Sequence, residues 1–237
     1  MNNIKVFRNE LKYFINNHEH HTLRNKLKIL MKRDKHSDLQ GNYHIRSLYF
    51  DDIKDTALYE KQSGILQRKK YRIRIYNLQD DVIKLEKKSR IGQFVNKESF
   101  TLSRHEVTKI INFDYSFLLK KDNKLANEFY FDLIINMFRP KVIVDYIREA
   151  YVLDYNNIRV TFDKHLKTGL NSTDLFNKNL MLMNAIDEPQ TIIEIKFSNM
   201  LPDYLKSSLQ MRSTQRLAIS KYVYSRKFNK FNSWEDN

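Results

Sequence analysis

The amino-acid sequence predicts an α+β fold: antiparallel strands with helices at their margins. Two observations carry this. Several segments alternate side chains with a period of two, the clearest being RKKYRIRIYNLQDDVIKLEKKSR at 68–90, and between and after them lie stretches with apolar residues at helical spacing. With only 4 Gly and 3 Pro, no linker-like stretch and no internal repeat, the 237 residues read as one domain over 1–237.

Residues 5–14 alternate as a strand, with Arg8, Glu10 and Lys12 on one side and Phe7, Leu11 and Tyr13 on the other. A helix is expected from about His18 to Met31 on Leu23, Leu27 and Leu30. The HEHH run at its start lacks the spacing that places two imidazoles over a zinc ion, so it reads as an exposed helix start. After the Gly41-Asn42 turn, YHIRSLYFDD reads as a strand, Asp55 to Lys61 as a short helix, and Ser63-Gly64 as its end.

The 68–90 stretch is a hairpin about the polar NLQDD turn. Lys70, Arg72, Arg74 and Tyr76 share one face of its first strand, opposite Tyr71, Ile73 and Ile75; Lys84, Glu86, Lys88 and Arg90 share one face of the return, opposite Ile83 and Leu85. Gly92 to Phe100 adds Lys97, and Ser103 with Glu106 has capping-box spacing for a helix through Ile111. Helices at about 114–120 and 126–138 carry Phe113, Phe117, Phe129, Leu133 and Phe138, read as packing residues. Lys141 to Tyr151 is a strand with Tyr146 and Arg148 on one face and Ile143 and Ile147 on the other. In RVTFD, Arg159, Thr161 and Asp163 share a side. Residues 164–188 read as irregular, TIIEIKF as a strand presenting Glu194 and Lys196, Pro202 as a helix start, and Thr214 to Phe228 as a closing helix carrying Arg216, Lys221 and Arg226.

Lys and Arg number 42 against 28 Asp and Glu, a formal charge of +14, which points to an anionic partner: nucleic acid, an anionic membrane surface or a phosphorylated molecule. No cysteine is present, and the N-terminus has no apolar leader region; both fit a cytoplasmic location. The most apolar windows, FYFDLIINMF and KVIVDYI, are too short to span a bilayer, which leaves at most peripheral association with a membrane.

A dry core cannot hold so many like charges. The charged faces are either solvated surface or the lining of a hydrated cavity that expects an anion. The GxxxxGK[ST] and GxGxxG loops and the GxSxG elbow are absent, so phosphate would be held by side chains, Arg by its planar fork and Lys as a point charge. Glu10, Glu86 and Glu194 among these cations would repel a nucleic-acid backbone, so DNA is not expected. They suit a triphosphate carried with Mg²⁺ or Mn²⁺, whose bridging of phosphate oxygens calls for hard carboxylate ligands.

The motifs Glu10-Leu-Lys12-Tyr13, SLYFDD, RIRIY, LEKKSR, Lys97, YIREAY, RVTFD, EIKF and SKY at 220–222 occur in the order seen in VTC domains. The chain thus resembles, over nearly its whole length, the polyphosphate polymerase domain of vacuolar transporter chaperone proteins and their bacterial relatives, in the triphosphate tunnel metalloenzyme (CYTH-like) superfamily. The resemblance implies an antiparallel β-barrel tunnel with flanking helices, binding ATP and polyphosphate or triphosphate with Mn²⁺ or Mg²⁺. It implies phosphate-handling roles for Arg72, Arg74, Lys88, Lys97, Arg148 and Lys221, substrate contacts from Lys12 and Lys196, and a metal role for Glu194. Glu10 and Glu86 join the metal candidates, and Lys84 joins the substrate contacts on strand parity alone. Arg8 stands where the wider superfamily has the first Glu of ExExK, a departure that suits the polymerase branch. Eukaryotic members add a regulatory domain and membrane spans that this sequence lacks. The expected activity is transfer of the terminal phosphoryl group of ATP to polyphosphate; a metal-dependent triphosphatase and a non-catalytic polyphosphate- or RNA-binding module are the alternatives.

Overall fold

The structure, a computed structural model, describes residues 8–92, 94–210 and 218–231. In chain order its elements are β1 (Arg8–Ile15), α1 (Asn17–Leu30), β2 (Lys32–Arg33), β3 (Asn42–Asp51), α2 (Thr56–Gln62), β4 (Gln67–Tyr76), β5 (Ile83–Ile91), β6 (Phe94–Leu102), α3 (Arg104–Ile111), α4 (Lys124–Ile134), β7 (Arg139–Leu153), β8 (Ile158–Thr168), β9 (Met183–Asn184), β10 (Thr191–Ser198), α5 (Asp203–Ser208) and α6 (Lys221–Phe231). Phe7, the Arg8 side chain, Arg216 and the expected start of the closing helix lie outside the described residues.

The chain groups into two compact units, one from 1–44, 146–166 and 186–220, the other from 45–145, 167–185 and 221–237. Hydrogen-bonded neighbours follow the order β1-β10-β8-β7 and then β7-β3-β4-β5-β6, since β3 and β7 pass through both units. The sheet is antiparallel in every strand pair with a recorded register, and it has two ends, β1 and β6, where a closed barrel was expected. No helix among the described residues is long and apolar enough to cross a membrane.

In the first unit the apolar parity of each strand packs under α1. Val160, Phe162, Ile193 and Ile195 bury against Leu23, Leu27 and Met31, with Leu201, Leu205 and Leu209 completing the cluster. Asn16 and Glu19 form a reciprocal capping box that sets where α1 begins. His20, read as exposed, is instead buried: its ring packs edge-on at 4.7 Å from Phe162, and its Nε2 lies 3.2 Å from Glu149. Glu149 also accepts from Arg24 Nε at 2.7 Å and from the Tyr151 hydroxyl at 2.7 Å. Burial alone would raise this carboxyl; its hydrogen bonds with His20, Tyr151 and Arg24, together with Lys164 at 3.4 Å, hold it well below the ordinary carboxylate range.

The second unit is organised on the hairpin. Tyr71, Ile73 and Ile75 with Ile83 and Leu85 bury against Val107 and Ile110 of α3 and Phe129 and Leu133 of α4. The reversal between β4 and β5 places Asn77 and Leu78 at φ of 51° and 55°, the left-handed backbone that tight hairpin turns use. Ser103 and Glu106 form the expected capping box of α3. The 114–120 segment is a 3₁₀ turn at Ser116–Lys120, and α4 stops at Ile134, ahead of the left-handed Met137 at φ 54°. Phe129, Leu133 and Phe138 are core as expected, whereas Phe113 is exposed and instead meets the Arg139 guanidinium at 5.4 Å. The 164–188 stretch is largely irregular as read, although β8 runs on to Thr168.

Candidate functional site

Residues opposite the apolar parity form two polar groups, one in each unit. In the second unit, strand register sets the group out in rows. Ser47 of β3, Arg74 of β4, Lys84 of β5 and Thr101 of β6 are cross-strand neighbours; so are Tyr49, Arg72, Glu86 and Ser99, and so are Lys70, Lys88 and Lys97. Arg72 donates from Nε to Glu86 at 2.7 Å and from a terminal nitrogen to the Tyr49 hydroxyl at 2.8 Å. Arg74 Nε donates to Ser47 at 3.0 Å, and another of its nitrogens lies 3.9 Å from Glu86. Lys97 reaches the other Glu86 oxygen at 2.5 Å, and Lys84 donates to Thr101 at 2.6 Å. Both guanidiniums are thereby oriented by neutral hydroxyls and one shared carboxylate, which leaves the row strongly cationic.

Tyr49 and Tyr222 stack with centroids 5.2 Å apart, and Tyr222 donates to the buried Asp51 at 2.6 Å. Burial would raise the Tyr49 phenol, but Arg72 and Arg74 outweigh it and hold the phenol below its ordinary value, with Lys221 contributing. Lys70 lies over the Tyr222 ring at 4.9 Å; burial, reinforced by Lys61, Arg68 and Lys88, brings its ammonium down to about 7.

Glu86 is only 4% exposed. Burial pushes its carboxyl up, yet Arg72, Arg74 and Lys97 together hold it at about 2. A carboxyl depressed on folding contributes stability that is fully present above its unfolded value, near 4.5, and is lost as the pH falls toward 2. Denaturant titrations from pH 5 downward should therefore show stability declining across that window. The Glu86→Gln protein should decline less steeply, Glu149 supplying the remaining slope; an acid limb identical to wild type would remove Glu86 as its source.

In the first unit, register pairs Lys12 with Glu194 and Glu10 with Lys196 across β1 and β10, and Lys196 with Arg159 across β10 and β8. Lys12 bridges Glu10 at 2.5 Å and Glu194 at 4.0 Å, while Lys196 lies 2.8 Å from Glu194. Arg148 makes a two-pronged contact to Asp163 at 2.6 and 2.8 Å and lies 3.9 Å from Glu194. Arg159 binds Asp34 at 2.7 Å and the Tyr43 hydroxyl at 2.8 Å. Lys12 is raised because Glu194 and then Glu10 overcome its burial; Lys196 is lowered by burial that Glu194 only partly offsets. Arg148 is held charged by Asp163 against the cost of its partial burial. This group is nearly charge-balanced, unlike that of the second unit.

The predicted Glu10, Lys12, Arg148, Glu194 and Lys196 thus belong to one group, and Arg72, Arg74, Lys84, Glu86, Lys88 and Lys97 to the other. Lys221 opens α6 in the second unit, within electrostatic reach of Tyr49. Sequence reasoning missed Ser47, Tyr49, Asp163 and Tyr222 as participants. Parity held a signal for the first two, since they alternate with the buried Leu48 and Phe50, but an apolar-looking run on both sides hid it.

An antiparallel α+β sheet with one apolar and one charged face is the class of protein that emerges, the triphosphate tunnel (CYTH-like) fold. It is shared with a solved structure from Hippeastrum described as an adenylyl cyclase with a dominant triphosphatase activity, at 14% identity, covering 92% of this chain and 95% of that one, with a TM-score of 0.54. A Bacillus halodurans structure assigned as an adenylate cyclase matches at 14% identity over 86% and 88% of the two chains with a TM-score of 0.46. A Pyrococcus horikoshii protein matches at 14% identity over 90% and 96%, again at 0.46. Comparison with curated proteins gives no match. The sequence profile of the VTC domain matches residues 7–229, and the chain belongs to that family.

Proposed function

We propose that this VTC domain is an ATP-dependent polyphosphate polymerase. The observation that carries the reading is the Arg72–Arg74 pair, held by Tyr49, Ser47 and Glu86 on a face with a surplus of cations. In the reaction the terminal oxygen of a polyphosphate chain forms a bond to the γ-phosphorus of ATP, and the bond from that phosphorus to the β-bridging oxygen breaks, releasing ADP. Such a transfer depends on alignment and on offsetting charge at the equatorial oxygens, with no covalent protein intermediate.

Arg72, Arg74, Lys88, Lys97 and Lys221 of the second unit would offset that charge, with Lys84 holding substrate phosphate. In the first unit Arg148, Lys12 and Lys196 would bind phosphate oxygens. Glu194 and Glu10 fit a Mg²⁺ or Mn²⁺ ion: two hard carboxylates already share a cation, Lys12, and Mg²⁺ commonly takes one or two carboxylates together with substrate phosphates. When bound, the ion would neutralise phosphate charge. Glu86, set between Arg72, Arg74 and Lys97, is assigned instead to orienting the two arginines; Glu194 also has three cations within 4.0 Å, Lys12, Lys196 and Arg148, but it shares Lys12 with a second carboxylate, Glu10. Among the described residues no cluster of three acidic or imidazole groups is set to hold an ion unaided, so phosphate oxygens would complete the shell.

A triphosphatase is the second reading, favoured by the activity described for the Hippeastrum structure of shared fold. Incubation with ATP and Mn²⁺ separates the readings. Polymer on a gel is the expected outcome. Orthophosphate release without polymer would establish the hydrolase instead, and unchanged ATP would leave a binding module.

A further inference from the structure

We propose that the shared end of β4, β5 and β6 is a docking tip for an anionic phospholipid bilayer, its apolar side chains entering the headgroup–acyl boundary and its arginines meeting lipid phosphates. The inference does not depend on the phosphoryl-transfer reading. Strand register assembles the tip: Gln67, Ile91 and Phe94 form the last row of the three strands, and Arg68, Arg90 and Val95 the row behind it. Ahead of the last row the Gly92 amide donates to the Leu66 carbonyl at 3.0 Å, which ties the loop carrying Ile65 and Leu66 onto the end of β5. Ile65, Leu66, Ile91, Phe94 and Val95 are therefore gathered at one place, and each is between 47% and 67% exposed. Single exposed apolar residues are ordinary on a protein surface; five at one end of a three-stranded ribbon form a patch that calls for an occupant.

The distribution of these side chains selects that occupant. Ile91 and Phe94 keep the parity of the buried Ile83, Leu85 and Leu102, whereas Val95 keeps that of Lys97 and stands on the charged face. The tip is thus apolar on both faces of the sheet. A partner protein covers one face, while a fluid apolar phase can surround an inserted end from both sides. Charge points the same way. Arg68 and Arg90 face each other across β4 and β5, one residue, or roughly 3.3 Å, behind the apolar row. Arg68 donates to the backbone carbonyl of Ile65 and Arg90 to that of Gly92 at 2.7 Å; among the described residues neither guanidinium forms an ion pair with a carboxylate. Burial and then Arg90 hold the Arg68 guanidinium below its ordinary value, and Glu60 offsets this to a smaller extent. Like charges directly opposite in a sheet are destabilising, and lipid phosphates between the two forks relieve that repulsion. Apolar faces of peripheral proteins enter a membrane by about 5–10 Å, so guanidiniums this close behind the apolar row come to headgroup depth. The formal charge of +14 steers the whole chain toward such a surface.

The test measures binding of the full chain to vesicles of phosphatidylcholine alone and to equimolar phosphatidylcholine and phosphatidylglycerol. Wild type is compared with Leu66→Ser/Ile91→Ser/Phe94→Ser and with Arg68→Gln/Arg90→Gln, melting temperatures checking the fold. Wild type should bind the anionic vesicles, the serine variant about tenfold or more weakly although its charge is unchanged, and the glutamine variant about tenfold more weakly. The chain has no cysteine, so Ile91→Cys accepts a single environment-sensitive fluorophore, whose emission should shift to the blue on anionic vesicles. Serine-variant binding equal to wild type, or no blue shift, would reduce the interaction to general attraction by a basic protein and overturn the tip. Equal binding to both vesicle types would overturn the part given to the arginines. An oligomer that the serine variant dissolves, without vesicle binding by wild type, would make a second copy of the chain the occupant instead. ATP turnover in the serine variant should match wild type; its loss at an unchanged melting temperature would overturn the assignment of these side chains to docking.

Discussion

The Arg72→Ala protein is expected to turn over ATP about 10² to 10³ times more slowly than wild type, whether product is read as polymer or as released phosphate. The guanidinium is held on two sides, by Glu86 and by the Tyr49 hydroxyl, so its fork is aimed before substrate arrives. Preorganised donors of this kind act where charge develops, and alanine removes both the donor and the charge. The fold should survive, because Arg74 and Lys97 still flank the Glu86 carboxylate. Arg72→Lys restores charge but not the planar fork, and its rate should fall between the two. Wild-type turnover in Arg72→Ala and in the matching Arg74→Ala protein would refute the assignment of this face to phosphoryl transfer.

The largest effect on stability is expected from Arg46→Ala, a position with no assigned role in the reaction. Arg46 is only 2% exposed; its Nε donates to Asp145 at 2.7 Å and a terminal nitrogen donates to the backbone carbonyl of Asn177 at 2.5 Å. It therefore ties β3 to β7 and pins the irregular segment that follows β8. Alanine deprives the buried Asp145 carboxylate of its guanidinium and removes the donor to Asn177. Breaking a buried pair from one side typically costs 3–5 kcal/mol, about 10 °C in melting temperature for a chain of this size. Arg46→Met with Asp145→Leu, which removes both charges and keeps the volume filled, should recover much of the loss. A melting temperature within about 2 °C of wild type in Arg46→Ala would show that this pair does not hold the segment.

Elements built on local rules were legible from the chain alone. The hairpin, the capping box at Ser103, the packing of Leu23 and Leu27, and the burial of Phe129 and Leu133 follow from backbone geometry and periodicity that act over a few residues. Parity likewise told which hairpin side chains share the charged face, since a strand in unbroken register cannot present Arg72 and Ile73 to the same side.

The amino-acid sequence by itself determined the longer strands and the main helices, the basic face and its likeness to the VTC family. Only the tertiary structure decided what each charge meets. His20 and Glu149 are 129 positions apart, and Arg46 and Asp145 are 99 apart. Nothing local distinguishes their side chains from solvated ones. The same holds for the metal candidates: three glutamates with like surroundings in the sequence separated into Glu10 and Glu194, which share Lys12 while Lys196 and Arg148 also flank Glu194, and Glu86, which meets Arg72, Arg74 and Lys97. The physical reason is one of range. Alternation is set by each strand's own backbone, whereas the partner of a charged group is set by which distant strand lies beside it and in what register.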